Sequence, residues 1–351
     1  MALSTGVLAA TESLDACLGF LLRHQSPDGS WSDWDLPPGP SDCWTTAYIG
    51  RRLAAATEPL LSTSTAARRA AAAWLVERQL AGGGWGYNDS VGPDADSTAY
   101  ALLFLSSEPV AIPSAGYERL LEFQRPDGGF STFLSDEGLG SWGVSHPDVT
   151  AVAARAMLSV SGSDVALPGT GTGPAPDRLS GLDGALRYIF RERNADGTWD
   201  SFWWSSPLYT TAAALSLLRA TGSAFDAALT RSALSRVHAG NAFERALLLD
   251  CHLQTLVDLG GSQAPQLVDA LIAEQLPDGS WPSVPILRLT NRDCFDPAGQ
   301  DDAGPLFADP GRLFTSAVVL GALSRFIGDG RSRWPPDAKR LARDSCSRAA
   351  S

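Results

Sequence analysis

Five times along the chain, an apolar stretch with a polar face runs into a short turn carrying Asp-Gly or Gly-Gly and ends on an aromatic residue. The copies are LLRHQSPDGSW ending at Trp31, WLVERQLAGGGW at Trp85, LLEFQRPDGGF at Phe130, YIFRERNADGTW at Trp199 and LIAEQLPDGSW at Trp281. Each is followed by a second stretch that is apolar nearly all round: WTTAYIGRRLA, STAYALLFL, DVTAVAARAML, LYTTAAALSLL and LFTSAVVLGALSRF. A one-sided apolar stripe predicts a helix lying on a core, and an all-round apolar pattern predicts a helix buried within one. Each unit is therefore a helical hairpin. Between Trp199 and Trp281 the chain runs for about two units, and helix-like stretches at 227–238 and 242–259 supply a sixth, degenerate copy. Six such hairpins predict an all-α fold, an (α/α)6 barrel: a double ring with the amphipathic helices outside and the apolar helices enclosing a cavity. It spans residues 1–351 as a single domain.

Within each unit the turn glycine releases the chain from the outer helix, the Asp caps the turn, and the aromatic packs between neighbouring hairpins. Gln25, Gln79, Gln124 and Gln275, with Trp31, Trp85, Trp199 and Trp281, thus read as structural. Two stretches break the repeat. Residues near 161–180, rich in Pro, Gly, Ser and Thr, read as a surface insertion. Residues 282–310 carry Asp293, Asp296, Asp301, Asp302 and Asp309 and read as a solvated loop more readily than as a lid.

Composition narrows the function classes. Apolar residues make up 44% and charged residues 19%, which suits helices packed on both faces. A net charge of -12 leaves no basic face for a phosphate backbone, so nucleic acid is not an expected partner. No apolar run reaches the ~18 residues of a membrane span, and the opening stretch carries Glu12 and Asp15 without a basic leader, which predicts a cytoplasmic protein. The five cysteines show no Cys-x-x-Cys spacing, and the adjacent Cys251 and His252 have no companion ligand motif, so they read as helix packing, with neither disulfide nor metal expected.

From Gly82 the chain reads GGGWGYNDSVGPDADSTAYALLFL, then DGGFSTF with HPDVTAVA, then DGTWDSFWWSSPLYTTAAAL. Over most of residues 65–285 these repeats resemble the Gln-Trp repeats of the prenyltransferase and squalene oxidase repeat superfamily, and in particular the class II terpene cyclases such as squalene-hopene cyclase. In those cyclases Gly-Gly-aromatic leads to Asp-x-Asp-Asp-Thr-Ala; here the stretch is Asp94-Ala95-Asp96-Ser97-Thr98-Ala99, with Ser97 in place of the third acid. The resemblance implies a general acid at Asp96, assisted by Asp94, that starts cyclisation of a linear isoprenoid by protonating an alkene or epoxide without metal or cofactor. By the same register Tyr87, Ser97, Phe133, Asp148, Trp203 and Tyr209 border the substrate, with Tyr209 near the acid; Trp204 has no clear place. Val152 stands where the cyclases carry a His that supports the acid, and His146 reads as a solvent-facing loop residue.

The same residues have a plainer reading, since Asp94, Asp96 and Ser97 are also the residue types that cap a helix N-terminus. Protonating an alkene asks for more: a carboxyl in a dry cavity, with its conjugate base stabilised and no nucleophile nearby to trap the cation. Full-length class II cyclases carry a second barrel, and this chain has room for one, which leaves a place for a second copy or a partner protein. Two alternatives stand beside the cyclase: a prenyltransferase of the same fold, whose Asp-x-Cys occurs only as Asp344-Ser345-Cys346 in a polar tail, and a non-catalytic barrel that holds a lipid or a partner.

Overall fold

The computed structural model describes residues 2–112, 114–134, 138–161, 176–255 and 263–332. Its first hairpin is α1 (Ala2–Arg23) and α2 (Cys43–Ala54), followed by the single turn α3 (Leu60–Thr63). Next come α4 (Thr65–Glu77) with α5 (Ala95–Leu105), α6 (Ser114–Glu122) with α7 (Pro147–Ser161), and α8 (Pro176–Arg191) with α9 (Leu208–Thr221). The degenerate copy is α10 (Ala227–Leu234) with α11 (Ala242–Thr255), and the last is α12 (Ala264–Glu274) with α13 (Leu313–Ser332). The inner helices α2, α5, α7, α9, α11 and α13 pack each on the next, and α13 returns to α2, closing the ring. The expected double-ring all-α barrel is what forms.

The apolar pattern maps onto the two rings directly. Along inner helix α5 every residue except Asp96 is buried, whereas outer helix α6 buries only Gly116, Tyr117 and Leu120. Burying a helix on all sides is what its continuous apolar sequence permits.

The repeat motif is the joint between rings. Its indole donates to the carbonyl ten residues earlier at Trp31, Trp85, Trp199 and Trp281, at 2.7–2.8 Å. The backbone N–H of Trp31, Trp85 and Trp199 donates to Thr46, Thr98 and Thr211, which explains the Thr that recurs at the start of the inner helices. Gln25 and Gln124 reach the backbone of the next outer helix at Ala67 and Gly181. Gln275 makes the same bond across the seam, to Ser13 in α1 at 2.8 Å. At that seam Gly279 has φ +93, and a Cβ there would lie 2.2 Å from the Ala16 carbonyl oxygen, so only glycine lets the last turn meet the first helix.

Two expectations about the interruptions change. The insertion near 161–180 ends early, because α8 already begins at Pro176; residues 162–175 lie outside the described residues. The stretch 282–310 is irregular but ordered by an antiparallel pair, with Leu287 opposite Phe307 and Arg288 opposite Leu306. Among the described residues no helix is long and apolar enough to cross a membrane.

The seam gives a direct test. Gly279→Ala is expected to lower the thermal midpoint by ~4 °C or more through the clash and the left-handed backbone. Gly92→Ala, where nothing lies within 4 Å of the new carbon, is expected to leave it unchanged; calorimetry on both variants reads the difference.

Candidate active site

Because the inner helices share one direction around the ring, their N-terminal ends meet at one mouth of the barrel. There a cavity of about 410 Å³ opens, lined by first-turn residues of α2, α5 and α7, the loops before α7 and α9, and the 282–310 stretch. Its wall is almost wholly apolar. Trp44, Tyr87, Phe133, Trp142, Trp203 and Trp204 supply the aromatic faces, and Asp94, Asp96 and Asp148 the acids.

Asp94 is the N-cap of α5. One carboxylate oxygen accepts from the Ser97 backbone N–H and the other from the Ser97 hydroxyl, both at 2.7 Å. Burial pushes its pKa up to about 6, against the pull of those bonds. Asp96, two residues on, is the one position of α5 that is not closed off, and what it opens onto is the cavity. Its Oδ2 accepts a 2.7 Å hydrogen bond from the Trp44 indole. Burial raises the Asp96 pKa well above the usual carboxylate range, the Asp94 charge adds to this, and the Trp44 N–H works the other way. The surroundings thus favour the protonated carboxyl, while a donor stands ready for its conjugate base.

The aromatic residues form a wall and a floor. In the wall, Phe133 lies 5.8 Å from Trp142, which lies 5.5 Å from Trp203, and the Trp203 indole is fixed by a 2.7 Å bond to Thr132. In the floor, Phe314 is stacked against both Trp44 at 5.2 Å and Trp204 at 5.0 Å. Trp34 completes this layer at φ +62, a left-handed backbone that a bulky residue adopts only at a cost of ~1–2 kcal/mol.

Several expected positions move. Tyr209 does not line this cavity: it sits behind the floor, stacked on Trp204 at 4.1 Å with its hydroxyl 2.7 Å from that of Tyr100. Trp204, which the sequence did not place, is the ring that faces the cavity instead. Asp148 borders the cavity, and its oxygens accept from the backbone N–H groups of Val149, Phe202 and Trp203, so it holds Trp203 in position. His146 is buried and stacked 3.5 Å from Phe202, not solvent-facing; burial pushes its pKa down to about 3. Tyr87, Ser97, Phe133 and Trp203 lie on the cavity as expected.

The stretch 282–310 is also more than a solvated loop. The Arg288 backbone N–H bonds the Trp203 carbonyl, the Trp142 indole bonds the Thr290 carbonyl, and the Thr290 hydroxyl bonds the Phe202 carbonyl, at 2.6–2.7 Å. Leu287 and Leu289 cover the cavity, and Arg288 and Arg292 stand at its rim, Arg292 over the Trp142 ring at 4.7 Å. Asp293, Asp296, Asp301 and Asp302 do face solvent, whereas Asp309 is buried and caps α13 through Thr315. Trp44 escapes a sequence reading because it comes from the neighbouring unit, and these loop residues because they come from the last one.

Cys251 is buried with its thiol against the Leu208 carbonyl. Among the described residues no three His, Cys, Asp or Glu side chains converge as a ligand set.

Comparison with known proteins follows the same lines. A family model described as the A-macroglobulin TED domain matches residues 8–97. Drimenyl diphosphate synthase from Streptomyces showdoensis is 33% identical over 123 residues, 34% of this chain and 23% of that protein, so the match spans under a quarter of the curated relative. A solved protein from Actinoplanes is 28% identical with a TM-score of 0.76, covering 90% of this chain and 99% of its own. A type II terpene cyclase from Scytonema, solved with its product merosterolic acid A, is 25% identical with a TM-score of 0.76, covering 93% and 99%.

The raised acids set a pH signature. A carboxyl whose folded pKa lies above its unfolded value of ~3.9 adds stability that is present at low pH and lost as pH rises through the folded pKa. For Asp94 that loss falls between about 4 and about 6, and for Asp96 it continues higher. Asp96→Asn, which never ionises, is therefore expected to gain in thermal midpoint over the wild type as pH rises from 5 to 8; parallel melting curves across that range would show that Asp96 is an ordinary exposed carboxylate.

Proposed function

We propose, from the premise that this chain is a single-barrel relative of the class II terpene cyclases, that it cyclises a linear isoprenoid by protonating it at Asp96. The observation that carries this reading is the carboxyl of Asp96, bonded to the Trp44 indole, on the wall of a largely apolar cavity, where burial favours its protonated form.

The Asp96 O–H gives its proton to a terminal alkene carbon or epoxide oxygen; the π or C–O bond breaks and a tertiary cation forms. The next double bond attacks that cation and closes a ring. A water molecule takes a proton from carbon to end the sequence, and one proton returned from solvent restores Asp96, so that no net proton is consumed. Trp44 N–H holds the carboxylate left behind, while the Asp94 charge keeps the proton in place before substrate arrives. Most of the wall the cation meets is ring faces and alkyl groups, and the rings stabilise it by ~1 kcal/mol or more each when desolvated, without adding to it. No metal or cofactor enters these steps. Arg288 and Arg292 stand at the rim where a polar head of the substrate would remain.

An open cavity reaching Asp96 supports an enzyme over a barrel filled by its own side chains. The prenyltransferase reading would need a zinc set of Asp, Cys and His, and among the described residues no such set comes together; Asp344-Ser345-Cys346 lies outside them. Our reading places the protein in the cytoplasm, with a second copy or a partner protein standing where longer relatives have another barrel.

Incubation with linear prenyl alcohols, diphosphates, epoxides and prenylated aromatics, with product analysis, is expected to yield a cyclic product. Asp96→Asn is expected to lower its formation by ~10³-fold or more with the circular dichroism spectrum unchanged; undiminished turnover in that variant would overturn the assignment.

A further inference from the structure

The barrel has a second mouth. At the opposite ends of the inner helices lies a smaller cavity of about 140 Å³, lined by Arg51, Arg52, Arg155, Arg325, Asp250 and the edge of Tyr209 among others. It shares no lining residue with the upper cavity. Trp204 stacked on Tyr209, and Trp44 against Tyr100, form the layer between them.

The four arginines come from α2, α7 and α13 and face one carboxylate. Asp250 is engaged by Arg325 at 2.6 Å and by Gln254 at 3.2 Å. Arg52 bonds the Tyr48 hydroxyl at 2.7 Å and lies over its ring. Arg51 and Arg155 have no hydrogen-bond or ion-pair partner among the described residues, and burial together with the neighbouring guanidinium groups pushes Arg51 down to about 10. Arg155 is lowered for the same two reasons, with Arg325 as its charged neighbour.

Complementing the negative end of a helix accounts for arginines in a last turn. Arg51 and Arg52 stand in that place on α2, but Arg155 and Arg325 stand roughly two turns short of the ends of α7 and α13. The fold also makes room for the cluster: on α13, Gly321 sits where a Cβ would come within 3.0 Å of the Arg52 side chain. Crowded, partly desolvated guanidinium groups short of counter-charge are stabilised by an anion that several of them can grip at once, and phosphoryl oxygens match their planar fork.

We propose that the lower cavity binds a small free oxyanion of the phosphate class at a site separate from the isoprenoid cavity. The aromatic layer bars a prenyl chain from reaching it while its head sits there, which is why the free anion and not a prenyl head group is the ligand. The site stands whether or not the barrel is a cyclase.

The test is thermal unfolding and calorimetric titration of the full chain in low-salt buffer with inorganic diphosphate, with potassium chloride at matched ionic strength as control. A prenyl diphosphate forms a separate arm. Saturable binding is expected, raising the thermal midpoint by about 3 °C or more at roughly a hundred times the dissociation constant. The Arg51→Gln, Arg155→Gln pair is expected to weaken it ~10-fold or more. Should that pair fail to fold, Arg51→Lys with Arg155→Lys keeps the charge but loses the fork, and is expected to weaken binding in the same direction. No saturable effect in the wild type, equal binding in the variant that folds, or a response to the prenyl ester alone would each overturn the proposal.

Discussion

A carboxyl group shut away from bulk water must either stay neutral or find a group that carries its charge, and around Asp96 the fold provides for both states. Burial and the Asp94 charge favour the neutral acid, while the Trp44 indole is already aimed at the oxygen that would hold the charge after the proton leaves. That pairing joins α2 to α5 across the top of the ring. It can form only because the inner helices begin at the same mouth, and they do so because each repeat delivers its chain from an outer turn to an inner N-terminus in the same way.

The repeat motif is what enforces that delivery. An indole locked to its own helix, a backbone N–H held by the Thr of the next inner helix, and a Gln reaching the neighbouring unit together fix where each inner helix starts. The inner starts then carry whatever chemistry the sequence puts there: Trp44 on α2, Asp96 on α5, Asp148 on α7. Below them, the aromatic layer of Trp34, Trp44, Trp204 and Phe314 closes the bore, so that one barrel holds an apolar chamber above and a charged one below.

The architecture is legible in the sequence because it repeats, and a local signal seen five times over needs no knowledge of distant contacts. The position of Asp96 is legible for a related reason, since the cap of an inner helix is a local feature and the ring sets where it points. What surrounds Asp96 is not. Trp44 reaches it from another unit, Trp204 faces the cavity with Tyr209 stacked behind it and Phe314 of the last unit packed against it, and the 282–310 stretch covers the cavity through backbone bonds that polar composition does not signal. His146 reads as exposed in the sequence because a loop position says nothing of the Phe202 ring packed upon it.

The central claim is that Asp96 holds a proton at neutral pH in the resting protein. Infrared difference spectroscopy of the wild type against Asp96→Asn at pH 7 reads this without any substrate. A protonated Asp96 gives the carbonyl band of a neutral carboxylic acid that disappears in the variant; a wild type in which position 96 contributes only carboxylate bands would contradict it.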